Sequence, residues 1–224
     1  MSCKAGGCFL MFTDADTIHS PDSLAWAVTN INEHRADFLS GYVQQDLQSF
    51  GEALIVPTTY IMSAILMPFW LVHRTHSPLL TMAVGQMVMF RSDVFQAIGG
   101  YASVAEQISE DVFVARAVKK AGYRTVFLDL RENVTCRMYE GYRKSFDGIG
   151  KNIYDFFKNQ PALFASVASI LVAFIVLPLV LIPIEMRTDN PLLRLSLFSA
   201  LNFILAWSLT LYDRGLKWWV PLLY

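Results

Sequence analysis

The apolar positions of this chain fall into two regimes. Up to about residue 160, short apolar runs alternate with amphipathic stretches; beyond it the runs lengthen toward the scale of a bilayer. Cys8 to Thr13 (CFLMFT) is a short apolar run ending in acidic residues, the pattern of a buried strand that delivers a loop. Ser23 to His34 places Leu24, Val28 and Ile31 at helical spacing, with Pro21 and Asp22 near the start. Ala36 to Val43 (ADFLSGYV) reads as the next strand, and Met87 to Phe90 as another. Ser92 to Ile98 reads as a helix stopped by Gly99 and Gly100, and Glu110 to Ala121 as a helix ended by Gly122. Thr125 to Leu128 then gives a further strand. Strands alternating with helices predict an α/β fold for residues 1–160.

The second regime is different in kind. Ala162 to Ile184 contains 23 residues without a charge, more than the ~20 that a helix needs to cross a hydrocarbon core. Pro178 and Pro183 lie near its far end. A polar connection follows, and Leu195 to Tyr212 adds 18 more uncharged residues. This predicts a membrane hairpin within residues 161–224, with spans near 162–184 and 195–212. Arg143, Lys144, Lys151 and Lys158 precede the first run, so the part before the hairpin is expected on the cytoplasmic side of the cell membrane. A third uncharged run, Ala53 to Val72, is interrupted by Pro57 and Pro68 and diluted by Thr58, Thr59, Tyr60 and Ser63. Acidic motifs lie on both sides of it, and a single crossing would strand them on opposite faces of a membrane. The run is therefore expected to lie in the interface plane or to pack against the domain, and the preferred reading is interfacial helices near 53–72, a membrane-surface helix pair broken at the prolines.

Charge removes one class of function. Eighteen Lys and Arg against nineteen Asp and Glu leave a net charge of −1, so no broad basic field exists to hold nucleic acid. Charged residues make up only 17% of the chain, against about 25% in an ordinary soluble domain. Cys3, Cys8 and Cys136 form neither a C-x-x-C pair nor half of a zinc site, and read as small apolar fillers in a reducing compartment. His19, His34, His73 and His76 make no ligand pattern, and Trp70, Trp218 and Trp219 stand near apolar boundaries, where interfacial anchoring and core packing are equally open.

The residues with chemical potential are carboxylates. Asp14 and Asp16, one residue apart where the first strand breaks, can jointly meet a divalent cation and the phosphate groups it holds. Turn contacts and an N-cap are the alternative use of such a pair. Glu110 and Asp111 begin a helix, where acids suit the helix dipole; an acid in that position beside a metal site can also serve as a general base. Arg137, Tyr139 and Arg143 offer cations and rings to a diphosphate or a sugar, or form a positive collar before the span.

Taken in order, the motifs resemble the family 2 glycosyltransferases, in particular membrane-attached members acting on lipid or carotenoid-like acceptors. The likeness runs through FTDADT, the Ser40-Gly41-Tyr42 strand, GQMVMFR, IGGY, SEDVFVARAVKKAGYRT and the GIGKN stretch. It implies a partial glycosyltransferase A fold, a mixed sheet with flanking helices, followed by the transmembrane hairpin. It also implies a nucleotide-sugar donor, a divalent metal (Mg or Mn) and inverting transfer to a hydroxyl of a membrane-associated, lipid-like acceptor. By the resemblance Asp14 approaches the nucleotide or its sugar, Asp16 contacts the metal, Arg143 helps bind the donor, Asp111 is the catalytic base and Glu110 supports it. The Q-x-x-R-W motif of processive synthases is absent, which implies one sugar per acceptor. Family members carry a nucleotide-binding half before the D-x-D motif. The chain is accordingly expected to be the C-terminal portion of a larger enzyme, with a separate N-terminal half as a partner and one side of the D-x-D strand unpaired.

Two other readings share the opening. The strand with Asp14 and Asp16 resembles the nucleophile motif of haloacid-dehalogenase-like phosphatases, in which Asp14 would form an aspartyl-phosphate. Ile18 stands where that motif has a threonine, and no later lysine in an apolar setting completes it. The third reading is a non-catalytic membrane remnant that keeps the motifs.

Overall fold

The computed structural model describes residues 6–60, 63, 72, 74–105, 107, 109–157, 160–173 and scattered positions between 180 and 208. They fall into two compact units, Met1–Asn152 and Ile153–Tyr224.

The first unit is built on two small sheets. Its elements are β1 (Phe9–Thr13), β2 (Thr17–His19), α1 (Ser23–Glu33), β3 (Phe38–Tyr42), β4 (Gln44–Gln45) and α2 (Phe50–Ile55). After a long connection come β5 (Met87–Arg91), α3 (Ser92–Ala97), a 3-10 turn (Gly100–Val104), α4 (Glu110–Lys120), β6 (Thr125–Asp129), β7 (Val134–Cys136) and α5 (Gly141–Phe157). The main sheet has the order β1-β5-β3-β6. β5 is antiparallel to both of its neighbours, and β3 and β6 are parallel. Consequently β1, β3 and β6 point the same way and deliver their C-terminal ends to one side. The second sheet, β2-β7-β4, stands beside those ends.

Strand alternation divides the core. Phe38 and Phe90, with Val88, face α3 and α4 and pack with Phe95, Val114 and Val118. Leu39, Met87 and Met89 face the other way and pack under Ala27 and Ile31 of α1. All five residues of β3 are buried, as a strand covered on both faces requires. Its one polar side chain, Ser40, is satisfied: the hydroxyl donates to the Val84 carbonyl at 3.1 Å and accepts from the Val84 amide at 2.9 Å. This pair of bonds fastens the segment leading into β5 against the middle of the sheet. β1 stands at the sheet edge with β5 as its only neighbour among the described residues, so the D-x-D strand does have one unpaired side.

The described part of the third apolar run packs on this domain. α2 ends at Ile55, just before Pro57. Ala53, Val56, Tyr60 and Val72 are buried. Tyr42 meets Tyr60 ring to ring at 5.5 Å and donates its hydroxyl to Ser63 at 2.8 Å. These residues pack on the domain; the break expected at Pro68 lies outside the described residues.

In the second unit the described helix is α6 (Pro161–Leu171), with proline at its first position. Among the described residues no helix is long and apolar enough to cross a membrane. The transmembrane hairpin expected near 162–184 and 195–212 thus finds no support, and much of it lies outside the described residues, as do Trp70, Trp218 and Trp219. Several apolar side chains described there are exposed: Leu163, Phe164, Ile170, Phe198 and Leu201.

Candidate active site

β1 ends in a turn that presents two acids. The Thr17 amide and hydroxyl both donate to the Asp14 carbonyl, at 3.3 and 2.7 Å, closing the chain around Ala15. Below this turn, the Thr13 hydroxyl donates to the Gln86 carbonyl at 3.1 Å and pairs with His19 Nε2 at 2.8 Å and with the Thr17 hydroxyl, while His19 Nδ1 pairs with Ser23 Oγ at 3.3 Å. His19 thereby ties the acidic turn to α1 and to the start of β5.

Gln86 is the hub on the other side. Its side chain is buried, accepts from Gln45 Nε2 at 3.2 Å and donates to Cys136 Sγ at 3.1 Å. Cys136, at the end of β7, donates its thiol proton to Asp16. Burial first, and then the charge of Asp16, push the Cys136 thiol up to about 12. It therefore acts as a hydrogen-bond donor and not a nucleophile, and is more than the apolar filler that its isolation in the sequence suggests.

Asp111 reaches the same place from α4. Its Oδ1 accepts from the Val112 amide at 2.9 Å, and the carboxylate also accepts from the Gly85 amide. Burial raises the Asp111 carboxyl above its ordinary value; these amides pull it down, the charge of Asp14 pushes it up, and the net direction is upward. Asp14 is raised as well, by partial burial and by Asp16. Tyr101 completes the acidic surround. Gly99 and Gly100, at φ 78° and 57°, make the left-handed turn that places it. Burial, then the charges of Asp111, Glu110 and Asp14, raise its hydroxyl well above the phenol range, so it remains a proton donor among carboxylates.

Four sequence-predicted acids, Asp14, Asp16, Glu110 and Asp111, are thus gathered at the C-terminal end of β1 and the first turn of α4. None of them takes part in an ion pair among the described residues. Arg143 is exposed on α5 and makes no ion pair among the described residues, and Arg137 is turned to another partner, Glu52, at 3.0 Å. Tyr139 does lie near Asp16: its hydroxyl is raised by burial and, further down, by the Asp16 charge, while the Asn152 side chain hydrogen-bonds to it. A Cβ on Gly148 would sit 2.3 Å from the Tyr139 ring, so Gly148 and Asn152, one helical turn apart, seat that ring together. This accounts for the GIGKN stretch.

Residues 3–152 match the family described as Glycosyltransferase like family 2. The chain belongs to that family. No curated protein matches it. A family 2-like glycosyltransferase transfers sugar from a nucleotide-sugar donor to an acceptor, and the mixed sheet with flanking helices fits a partial glycosyltransferase A fold. Enzymes of this family commonly use a divalent metal. Among the described residues of this glycosyltransferase, no group of three or more His, Cys, Asp and Glu side chains is arranged to hold a metal ion. The donor set that is present, carboxylates without a counter-cation, fits an ion held by one or two acids and completed by phosphate and water.

Tyr101, His19, Gln86 and Glu52 were not assigned roles by the sequence. His19 carried a signal: it lies two residues past Thr17, hence on the same side of β2. Glu52 carried another, the Ser49-x-x-Glu52 capping box, whose reciprocal bonds are present.

Proposed function

We propose that this glycosyltransferase moves one sugar at a time, with inversion, from a nucleotide-sugar to a hydroxyl of a membrane-associated, lipid-like acceptor. The convergence of Asp14, Asp16 and Asp111 beyond the C-terminal end of β1 carries this reading. Asp111 takes the proton of the acceptor hydroxyl, and the freed oxygen attacks the anomeric carbon as the bond to the diphosphate breaks on the opposite face. A carboxylate with a raised proton affinity suits that role, because its proton is accepted with more driving force than by an ordinary aspartate. Asp14 lies against the nucleotide or its sugar, Arg143 contributes to the donor, and Glu110 supports Asp111. Asp16 would hold Mg²⁺ or Mn²⁺, which when bound offsets charge on the departing diphosphate. Tyr101, held protonated, donates a hydrogen bond to the reacting groups. A nucleotide-binding half alongside the open edge of β1 would complete the donor pocket.

The lipid-like acceptor and the cell-membrane location are supported by the exposed apolar side chains of the second unit, which a lipid surface would cover. The basic residues Arg143, Lys144 and Lys151 favour the cytoplasmic face for the catalytic part. The test is transfer of labelled sugar by the full chain in detergent to a lipid extract and to water-soluble acceptors, with Mn²⁺ or with chelator. Label in the lipid phase, dependent on Mn²⁺ and missing in Asp111→Asn, is expected. Label confined to water-soluble products would overturn the lipid acceptor, and undiminished transfer with chelator would overturn the metal.

A further inference from the structure

A second polar cavity lies at the opposite end of the sheet from the acids. It has a volume of about 170 Å³ and is lined by Arg74, Thr75, His76, Lys119, Arg124 and Thr125, together with Val72 and Tyr123. It sits at the N-terminal end of β6, whereas the acids stand beyond the C-terminal end of β1, which runs parallel to β6. Lys119 is eight residues along α4 from Asp111, about 12 Å at the helical rise.

Its lining is one-sided. Two guanidinium groups, the Lys119 amine and a histidine face it, with no acid among the lining residues. Arg74, Lys119 and Arg124 make no ion pair among the described residues. Asp37 accepts from the Arg124 backbone amide at 2.8 Å and lies 3.8 Å from the Arg91 guanidinium. Lys119 is buried, and its ammonium donates to the carbonyls of Val72 and Leu80 at 2.8 and 2.6 Å. An ammonium has three N–H groups, so one remains. Two hydroxyls are left over as well. Thr75 Oγ1 and Thr125 Oγ1 are buried without a hydrogen-bond partner, and Thr125 as a whole is only 4% exposed. Buried orphan donors are uncommon and ask for a reason.

We infer that this cavity binds a phosphate-bearing anion, with Arg74, Arg124 and Lys119 balancing its charge and the Thr75 and Thr125 hydroxyls donating to its oxygens. A tetrahedral anion takes hydrogen bonds from several directions, and guanidinium forks are suited to its oxygens. The volume equals roughly six waters at about 30 Å³ each, enough for a phosphate and part of its ester. The phosphate can belong to a soluble ester or to the headgroup of an anionic lipid. The inference is independent of the sugar-transfer reading, since it uses none of the residues assigned there.

The experiment is calorimetry of inorganic phosphate into the full chain in non-ionic detergent, with chelator present so that no divalent ion brings phosphate to the acids. Flotation with phosphatidylcholine vesicles, with and without phosphatidic acid, forms the second arm. The variants are the double change Arg74→Gln with Arg124→Gln, at exposed positions, and Thr125→Val. Saturable phosphate binding, weakened about tenfold in the double variant and severalfold in Thr125→Val with an unlowered melting temperature, is expected. Phosphate binding with no response to phosphatidic acid assigns the site to a soluble ester. Recruitment by phosphatidic acid that falls in the variants, without binding of free phosphate, assigns it to a lipid headgroup. Binding of neither probe, or equal binding by wild type and both variants, overturns the inference.

Discussion

Asp111 and Glu52 are two carboxylates of one domain with opposite fates. Glu52 is the more deeply buried, at 1% exposure, yet it is held down at about 2, whereas the half-buried Asp111 is raised. Burial pushes both upward. Around Glu52 that push is outweighed by donors: the Arg137 guanidinium at 3.0 Å, the amides of Gly141 and Gln48 at 2.8 Å each, and the Ser49 hydroxyl at 2.9 Å. Asp111 has backbone amides and no cation, and it feels Asp14. Depth alone therefore does not set the proton affinity of an acid; the count and charge of its donors do. Glu52 is built to stay ionised and fasten α2 to the start of α5. In the reaction proposed above, Asp111 is the group that accepts a proton.

The largest expected effect comes from removing the reactive member. Asp111→Asn should cut transfer by about 10³-fold while leaving nucleotide binding and the melting temperature in place. A loss below about tenfold in steady-state rates would take the base role away from Asp111. Removing the structural member should act the other way round. Glu52→Ala leaves Arg137 and two amides unpaired and should cost about 3 kcal/mol in urea unfolding. A cost under about 1 kcal/mol would mean that water replaces the carboxylate there without penalty.

A smaller effect is expected where a ring is seated near Asp16. Gly148→Ala drives a methyl to within 2.3 Å of the Tyr139 ring and should cost about 1–2 kcal/mol of stability. Combining it with Tyr139→Val should recover most of that cost; simple additivity would show that the contact is not its source.

Acid separates the two carboxylates most finely. The raised Asp111 should give kcat/KM an acidic limb above the ordinary aspartate value of 3.8, with activity lost as the pH falls through it. Glu52 is lowered on folding, so its contribution to stability is whole above 4.5 and is lost as the pH falls toward about 2. Wild type should thus lose rate before it loses the Glu52 contribution, and melts of Glu52→Gln should lack that segment of pH dependence. An acidic limb at or below 3.8 would contradict the assignment of Asp111.

Much of this arrangement is legible along the chain because it is written in continuous apolar runs. β1, β3, β5 and β6, and the helices α1, α3 and α4, each occupy the run that announces them, to within a few residues. Asp14, Asp16 and Asp111 stand at the ends of those elements, where chemistry is commonly placed. The second sheet was not legible. Its strands have three, two and three residues, too short to show alternation, and exist only through pairing with distant partners. α5 was missed for another reason. Gly141, Gly148 and Gly150 weaken a helical reading, but Gly148 is required where the Tyr139 ring crosses the helix. The glutamate hub joins Glu52 to residues 85 and 89 positions away, a closeness that no local pattern carries.

The position of β5 has a consequence for the making of the protein. This strand lies between β1 and β3 but is synthesised after both, and β3 has left the ribosome well before residue 91 follows. At about 5–20 residues per second, the growing chain spends several seconds with two apolar strands whose shared partner is not yet made. Both expose backbone edges through that interval, which is when a chaperone or a membrane surface would have the most to cover. The same delay keeps Gln86 and Asp111 away from Asp14. In the reaction proposed above, an unfinished chain therefore lacks the gathered acids, and the donor would be engaged only after the sheet has closed.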